Sequence, residues 1–309
     1  MKDIKINFLG FWNGFNPYQT QLWKILTKYY NPIICNNFDY LFCSCLGNHY
    51  DYVKFPQVRI MFSGENYIPD LNLIDYAISL YPLNLGDRIF QYPTPCPDTF
   101  FTYENIAQKR NVSNDIFKDK TFFCSFVASY DNEDNTRSKF VNFINQYKPT
   151  INAGKFLTNT NRVYRENGSK YALVKKCKFD ICFEHTRNFG FNTEKIAEAF
   201  YCNTVPVYYG SESIFDIYNK DAFIYIKDIK DFDNALSQII ELDNNNELYL
   251  KMLNTYPFKE NNYIQKKMES YERFILNIFE QPYEKAYRRS RVASAKGHEN
   301  YLLRSKGVY

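Results

Sequence analysis

The chain has 309 residues, of which 45% are hydrophobic and 23% charged. These ordinary proportions exclude a collagen-like, low-complexity or globally disordered protein. The net charge of +4 is smaller than a nucleic-acid-binding chain usually carries, so we expect no nucleic-acid partner. Aromatic residues are unusually frequent, at 19%; they serve cores first and ring-stacking sites second.

Targeting and redox signals are weak throughout the chain. The first residues lack the apolar core of a signal peptide, and no run of about 18 uncharged apolar residues predicts a transmembrane helix. We therefore expect a cytoplasmic protein whose eight cysteines are reduced. Because their spacing is not that of a zinc site, we interpret them mainly as small buried side chains and predict no metal.

The first third of the chain alternates short apolar runs with polar segments of helical character. A helix is predicted over 18–30, where Leu22, Ile25, Leu26 and Tyr29 recur at helical spacing. Short apolar runs between such helices are typical of a parallel sheet that is covered on both faces. Strands are predicted over 4–11, 32–35, 40–46, 58–62 and 76–80.

A second series of the same kind follows a proline-rich segment over 92–97, which indicates a loop near a domain boundary. Two consecutive series predict an α/β protein with two Rossmann-like domains facing a cleft, whose ligands bind at the carboxyl ends of the strands. We place the N-terminal domain over 1–112, the second domain over 113–258, and a C-terminal helix with a basic tail over 259–309. In the second domain, strands are predicted over 120–129, 179–183, 204–209 and 223–226, and helices over 138–147, 193–201 and 232–242.

The C-terminal part begins with a long helix predicted over 262–279. The tail after it, 283–309, is basic and also carries aromatic and leucine residues. Two interpretations stay open for this tail. It is either a solvated, frayed segment or a surface for peripheral contact with the anionic inner face of a membrane.

The segment richest in chemistry is Cys182–Lys195, where an apolar strand leads through a polar loop into a helix. Asn192 or Thr193 is predicted to cap that helix, and the free N–H groups of a helix start attract phosphate. Lys195 would add a positive charge there, and Glu194 could accept hydrogen bonds from ribose or sugar hydroxyls. The alternative interpretation is a capped helix with a solvated Glu–Lys pair.

Several isolated residues are candidates for a functional role only if their side chains face the same site. Arg137 stands at a predicted helix start and could bind a diphosphate through two parallel hydrogen bonds. Glu65 follows the strand over 58–62 and is placed for general-base work. Either residue could equally be an ordinary surface or capping residue. His49 and His185 have no second ligand at a suggestive spacing, so we expect polar contacts from them, not metal ligation.

The run over 178–210 resembles the α1,3/4-fucosyltransferases of glycosyltransferase family 10, and looks closest to bacterial members that make Lewis-type antigens. The resemblance rests on Phe-Glu-His-Thr before Thr-Glu-Lys-Ile, followed by Asn-Thr-Val-Pro-Val-Tyr-Tyr-Gly. The Gly-Glu-Asn loop at 64–66 and the Phe-Val-Ala-Ser strand at 126–129, followed by Arg137, are similar to further family segments. Together these segments extend the resemblance over most of the chain.

The resemblance implies a glycosyltransferase-B fold and an inverting transfer of fucose from GDP-fucose to an N-acetyllactosamine-like glycan. The resemblance implies that Glu65 is the general base. As aromatic residues, Phe11 and Trp12 could stack on a sugar face of the acceptor, with core packing as the alternative interpretation. GDP-fucose is a substrate, so no cofactor is required, and we expect no metal because no Asp-x-Asp-like pair follows a suitable strand. The residues that would contact this donor are Arg137, Glu184, Phe191, Thr193, Glu194 and Lys195.

Two residues depart from the pattern of the family. Phe191 stands where the family usually has tyrosine, and His185 where it usually has asparagine. These departures keep open a related inverting transferase that uses another nucleotide sugar. A two-domain glycan-binding protein without catalytic activity is the other alternative; it would share the aromatic richness but would not need the anion site at Thr193–Lys195.

Overall fold

The described part of the chain forms two compact units. The first unit comprises Met1–Phe100 and Gln265–Tyr309, and the second comprises Phe101–Ile264. Of the C-terminal segment 259–309 that the sequence-based division sets apart, residues 265–309 therefore belong to the same unit as the N-terminal residues, and residues 259–264 belong to the second unit. The computed structural model describes residues 1–47, 50–92, 105–108, 111–160, 169–289 and 292–307. His49 and most of the predicted boundary segment over 92–97 lie outside these residues.

The first unit is built on a six-stranded sheet. Its strands are β1 (Lys2–Leu9), β2 (Tyr30–Ile34), β3 (Tyr40–Ser44), β4 (Val58–Ser63), β5 (Tyr76–Ser79) and β6 (Ile89–Gln91). All neighbouring pairs are parallel, in the order β2-β1-β3-β4-β5-β6. The chain progresses in opposite directions on the two sides of the β1–β3 pair, and ligands of such sheets bind outside the carboxyl ends at that switch point.

Helix α1 (Gln21–Tyr29) confirms the helix predicted over 18–30 but begins later. A 3₁₀ turn over Pro17–Gln19 precedes it, and the Thr20 hydroxyl accepts a hydrogen bond from the Trp23 N–H at 3.0 Å. This side-chain cap satisfies one of the free N–H groups of the first turn and fixes where the helix starts. Leu22, Ile25 and Leu26 of its predicted apolar face are buried, whereas Tyr29 at the end of the helix is exposed.

The second unit contains a five-stranded parallel sheet. Its strands are β7 (Phe122–Phe126), β8 (Thr150–Asn152), β9 (Cys177–Phe183), β10 (Val205–Tyr209) and β11 (Ile224–Ile226). They lie in the order β11-β10-β9-β7-β8, so the switch point falls between β7 and β9. The helices are α2 (Ile116–Asp119), α3 (Thr136–Ile144), α4 (Ser169–Lys175), α5 (Lys195–Tyr201), α6 (Phe232–Asn244) and α7 (Asn246–Asn254).

The remaining helices are α8 (Tyr263–Glu280), α9 (Tyr283–Ala286) and α10 (Ala293–Ser305). The side chain of Phe279 in α8 packs on the first sheet, with its ring 4.6 Å from that of Tyr40 between centroids. In the tail, Leu302 and Leu303 are buried in the core of the first unit. The expectation of a solvated, frayed tail is therefore wrong, because these leucines remove apolar surface from water.

Candidate active site

A cavity of about 470 Å³ lies at the carboxyl edge of the second sheet. Its walls come from the ends of β7 and β9, from the loops after β7 and β8, and from helices α3, α4 and α5. The volume falls within the range of about 300–1,000 Å³ that is typical of small-molecule sites. The lining residues are Phe126, Val127, Ala128, Ser129, Tyr130, Arg137, Gly154, Lys155, Lys170, Asp180, Ile181, Phe183, His185, Glu194 and Lys195.

A buried ion pair forms part of this region. The Glu184 carboxylate is completely buried and accepts hydrogen bonds from the Thr193 N–H at 2.7 Å and from the Thr193 hydroxyl. Lys195 Nζ lies 3.0 Å from Glu184 Oε2. Burial tends to lower the pKa of Lys195, but the charges of Glu184 and Glu194 outweigh it and raise that pKa. Lys195 is therefore a positively charged wall residue at neutral pH.

The start of helix α5 differs from the prediction. The helix begins at Lys195, and Glu194, the residue before it, makes no capping hydrogen bond with its side chain. The Thr193 N–H, which is predicted to be offered to a phosphate, donates instead to Glu184. The predicted cap by Asn192 or Thr193 is wrong, because the residue before the helix is Glu194 and the Thr193 hydroxyl donates to Glu184.

Arg137 lies in the first turn of α3 and is 4% exposed. Its Nη1 and Nη2 donate to the carbonyl oxygens of Tyr130 and Phe183, each at 2.8 Å. Its buried Nε has no hydrogen-bond partner among the described residues. Burial lowers the pKa of Arg137, yet arginine is not deprotonated in proteins. A buried unpaired donor costs about 1–3 kcal/mol, so an anion that accepts this hydrogen bond would be stabilised.

Glu194 and His185 place a carboxylate and an imidazole in the same wall. Burial acts to raise the pKa of Glu194, but the charges of Lys195 and Lys170 outweigh it and lower that pKa. Burial and the charge of Lys195 lower the pKa of His185, so its imidazole is neutral at pH 7. The ring of Phe191 meets the imidazole edge to face at 4.8 Å between centroids. Phe191 is buried behind His185 and is not among the described residues that line the cavity.

Three more charged side chains line the cavity: Lys155, Lys170 and Asp180. Asp180 is 3% exposed, and its Oδ1 accepts a hydrogen bond from the Ser125 hydroxyl at 2.6 Å. Burial raises the pKa of Asp180. Lys170 forms an ion pair with Glu198. Four cations and two carboxylates thus line the cavity, which favours an anionic ligand.

The first unit carries the predicted base and acceptor residues at the carboxyl edge of its own sheet. Phe11 and Trp12 follow β1, and Glu65 follows β4. Phe11 stacks on Phe15 with 4.0 Å between ring centroids and meets Phe62 near the end of β4 at 5.8 Å. The two predicted acceptor residues are half-buried, and Glu65 is exposed. The structure thus brings an aromatic surface and a carboxylate to one edge of a single unit.

Two family models match most of the chain. The model described as the N-terminal domain of α-(1,3)-fucosyltransferase FucT matches residues 6–96. The model described as the C-terminal part of glycosyltransferase family 10 (fucosyltransferase) matches residues 117–280, more than half of the chain. The chain belongs to glycosyltransferase family 10. The resemblance that is carried by the sequence motifs is therefore confirmed.

Individual relatives agree with the family. The α-(1,3)-fucosyltransferase FucT of Helicobacter pylori is 30% identical over 263 residues, which cover 75% of this chain and 54% of the relative. The chain thus spans about half the length of that relative. A 4-galactosyl-N-acetylglucosaminide 3-α-L-fucosyltransferase 9 from Bos taurus is 29% identical over 103 residues, which cover 33% of this chain and 26% of the relative.

The fold is shared with solved family members. A crystal structure of an α1,3-fucosyltransferase with GDP-fucose has a TM-score of 0.68, with 24% identity, and the match covers 89% of this chain and 91% of that one. The predicted fold class, α/β with two Rossmann-like domains of the glycosyltransferase-B kind, is confirmed. Over the described residues, no group of three or more His, Cys, Asp or Glu side chains is placed to hold a metal ion. None of the helices that the structure describes has the length and apolarity to cross a bilayer.

The residues predicted to contact the donor of a family 10 enzyme divide into two groups. Arg137, Glu194 and Lys195 line the cavity, whereas Glu184, Thr193 and Phe191 do not line it and lie directly behind wall residues. Glu184 and Thr193 position Lys195, and Phe191 supports His185. The sequence-based prediction does not include three charged residues of the wall: Lys155, Lys170 and Asp180.

The residues that the prediction omits had weak sequence signals. Lys155 follows β8, whose three residues are too few to show a periodicity. Asp180 lies inside an apolar strand, where one carboxylate is easily interpreted as an interruption. Its pairing with Ser125 across β7 and β9 depends on the sheet order, which a single strand does not reveal.

Proposed function

We propose that the chain is an inverting α1,3-fucosyltransferase that moves L-fucose from GDP-fucose to the GlcNAc of an N-acetyllactosamine-type glycan. The observation that carries the proposal is that the family 10 match over 117–280 contains a cavity lined by Arg137, Glu194 and Lys195. The names of the relatives support the linkage and the acceptor class. The structural relative that holds GDP-fucose supports the donor.

The donor is proposed to bind in the cavity of the second unit. Arg137 and Lys195 would face its diphosphate, because both are cations that line the wall and retain donors beyond their internal contacts. Glu194 is a half-buried carboxylate on the same wall and would accept hydrogen bonds from ribose or sugar hydroxyls. Glu184, Thr193 and Phe191 would act by holding Lys195 and His185 in position.

The transfer needs a base for the acceptor and a stabilised leaving group. The acceptor hydroxyl attacks the anomeric carbon, its proton passes to the base, and the bond from that carbon to the diphosphate oxygen breaks. Positive charge develops on the sugar ring, and negative charge develops on the departing GDP. We assign the role of the base that accepts the proton to Glu65, and the stabilisation of the leaving group to Lys195 and Arg137.

The acceptor is proposed to use the aromatic edge of the first unit. Phe11 and Trp12 are half-buried, so each ring keeps some surface for contact with a ligand. Their packing on Phe15 orders the rings before a sugar binds, which reduces the entropy that binding costs. Trp12→Ala should therefore raise KM for the glycan, by about tenfold for the loss of one aromatic contact, while the affinity for GDP is unchanged.

The proposal is tested by incubating the protein with GDP-fucose and a pair of type 1 and type 2 disaccharide acceptors, followed by mass spectrometry and linkage analysis. We expect fucose on the 3-hydroxyl of GlcNAc in the type 2 acceptor. Product at the 4-hydroxyl of the type 1 acceptor would extend the activity to α1,4 linkage. Absence of product from GDP-fucose, with product from GDP-mannose, UDP-galactose or CMP-sialate, would favour a different donor.

A catalytically inactive glycan-binding protein is the other outcome of this test. It would bind the acceptor without any nucleotide. A melting-temperature screen distinguishes the two, because a ligand that binds only the folded state stabilises it by mass action. A rise with GDP supports the transferase, whereas a rise with the glycan alone supports the binding protein.

We also propose that the chain is cytoplasmic and contacts an anionic membrane surface weakly through its tail. Lys285, Lys296 and Arg304 are exposed there, and each such cation contributes about 1 kcal/mol near an anionic leaflet. Two other tail cations, Arg288 and Lys306, form ion pairs with aspartates of the first unit. Sedimentation with phosphatidylserine vesicles should thus show binding that is lost at high salt and in the triple alanine variant.

A further inference from the structure

We infer that Lys155 is a further ligand of the donor diphosphate, an inference that rests on the proposed function for the identity of the ligand. Lys155 lies in the loop after β8 and lines the same cavity as Arg137 and Lys195. Its side chain is exposed. It therefore reaches the cavity from a different strand end than Lys195, which follows β9.

The four cations in the cavity wall differ in their internal partners. Lys195 forms an ion pair with Glu184, and Lys170 forms one with Glu198. Arg137 donates to two backbone carbonyl oxygens. Lys155, by contrast, forms no hydrogen bond or ion pair with any residue that the structure describes. An incoming diphosphate can bind its ammonium group without displacing an internal partner.

Carboxylates near the other lysines make this difference important. Glu184 and Glu198 lie beside Lys195 and Lys170, and Glu194 lies 3.8 Å from Lys195. These negative charges reduce the attraction that the two lysines exert on a diphosphate. The N–H of Thr193 is also taken by Glu184. This N–H is therefore not free to bind a diphosphate, and a wall cation without an internal carboxylate partner gains importance for anion binding.

The backbone around Lys155 is fixed, so its side chain starts from a defined place. A Cβ atom on Gly154 would lie 1.9 Å from the carbonyl oxygen of Ala128. Any residue other than glycine would therefore clash with this oxygen. The Phe156 N–H donates to the same oxygen at 3.0 Å. The loops after β7 and β8 are thereby held together on both sides of Lys155. Such preorganisation reduces the entropy lost when a ligand binds.

The same position suits the departing group of the transfer. Negative charge on the diphosphate rises as its bond to fucose breaks. A preorganised cation therefore stabilises the transition state more than it stabilises the ground state. Lys155 would therefore contribute to turnover as well as to donor affinity. Its lysine stem lets the ammonium group follow the diphosphate, whereas the Arg137 guanidinium is held by its carbonyl partners.

The test is calorimetric titration of pyrophosphate, GDP and guanosine into the wild-type chain and into Lys155→Ala, Lys155→Gln and Lys155→Arg. Lys176→Ala is the matched control, because Lys176 is an exposed lysine of the same unit that does not line this cavity. We expect the alanine and glutamine variants to bind pyrophosphate and GDP about tenfold more weakly. The arginine variant should stay within about threefold of wild type, and guanosine binding should not change.

The outcomes separate this inference from the proposed function. Unchanged pyrophosphate and GDP affinity in Lys155→Ala, or an equal loss for guanosine, would overturn the role of Lys155. If the wild-type chain bound pyrophosphate but not GDP, and Lys155→Ala lost pyrophosphate, the donor assignment would fail while the role of Lys155 held. If the wild-type chain bound neither, both would be overturned. An equal loss in Lys176→Ala would also count against Lys155, since the effect would then be one of overall charge.

Discussion

Each unit contains an ion pair with a completely buried carboxylate, and these two pairs lie at different edges of their sheets. In the first unit, Arg59 stands at the start of β4 and Asp75 immediately before β5, so the charges lie at the amino edge. In the second unit, Glu184 and Lys195 follow the carboxyl end of β9. Ligands of parallel sheets bind at carboxyl edges. Buried charge by itself therefore does not mark a site; its place relative to the strand ends does.

The two regions of buried charge also differ in how many of their polar atoms have hydrogen-bond partners. Asp75 accepts hydrogen bonds from the backbone N–H groups of Arg59, Arg288 and Arg289 at 2.7–2.8 Å, and Arg289 Nη1 lies 3.1 Å from Asp75 Oδ2. This cluster is closed and holds the C-terminal tail to the first sheet. In the second unit, the Nε of Arg137 keeps a hydrogen-bond donor that no residue of the described ranges accepts.

The largest effect is expected at the carboxyl edge of the first unit. Glu65→Gln should lower turnover about 10²–10⁴-fold, because the amide cannot take the proton of the acceptor hydroxyl. GDP affinity, measured by calorimetry, should stay as in the wild type, since the donor cavity belongs to the second unit. Glu284→Gln, an exposed acid of the first unit, is the control. Wild-type turnover in Glu65→Gln would remove this residue from the base role.

The next effect concerns stability at the amino edge of the same unit. Arg289→Met leaves the buried Asp75 carboxylate without its ion-pair partner, and breaking a buried pair in this way costs about 3–5 kcal/mol. Urea unfolding should show this loss, while Arg304→Ala, at an exposed position of the same tail, should leave the free energy of unfolding nearly unchanged. Equal stabilities of the two variants would show that the tail is not held by this cluster.

A double variant sharpens the contrast in the second unit. Lys195→Met should lower turnover about 10²–10³-fold and also destabilise the fold, because Glu184 loses its partner. Adding Glu184→Gln removes the unpaired charge, so stability should largely return while turnover stays low. Chemical denaturation and fucose transfer are measured on both variants. If activity returned together with stability, Lys195 would be a structural residue only.

How much of the two units the sequence predicts depends on how clearly apolar and polar residues are patterned in each segment. The parallel sheets follow from short apolar runs that alternate with helical segments, and helix α1 follows from its periodic apolar residues. The family resemblance points to Arg137, Glu194 and Lys195, and all three line the cavity. The three-residue strands β6 and β8 contain polar residues, so neither forms an apolar run like that of the equally short β11, and the loop after β8 receives no assignment from the sequence. The buried cluster around Asp75 joins residues more than 200 positions apart, and no local pattern indicates such a contact.

The start of α5 shows why local rules fail within the site itself. Thr193 is a good cap by type, yet its hydroxyl and its N–H both donate to Glu184. Glu184 is nine residues earlier in the chain, and only the burial of its carboxylate makes this competition decisive. Tertiary electrostatics thus overrides a capping preference that is worth about 1 kcal/mol.

The smallest expected effect is the pH dependence of folding stability that comes from His185 in the second unit. Burial and the charge of Lys195 lower the pKa of His185 from its ordinary value of 6.5. The unfolded chain therefore takes up a proton at a higher pH than the folded chain does, so stability falls as the pH drops below 6.5 and levels off below the folded pKa. His185→Asn should remove this part of the decline, measured by urea unfolding at pH 8, 6 and 5. The exposed His298 of the first unit, replaced by Asn, provides the comparison. An equal change in both variants would show that the environment at the carboxyl edge of the second unit does not set the titration of His185.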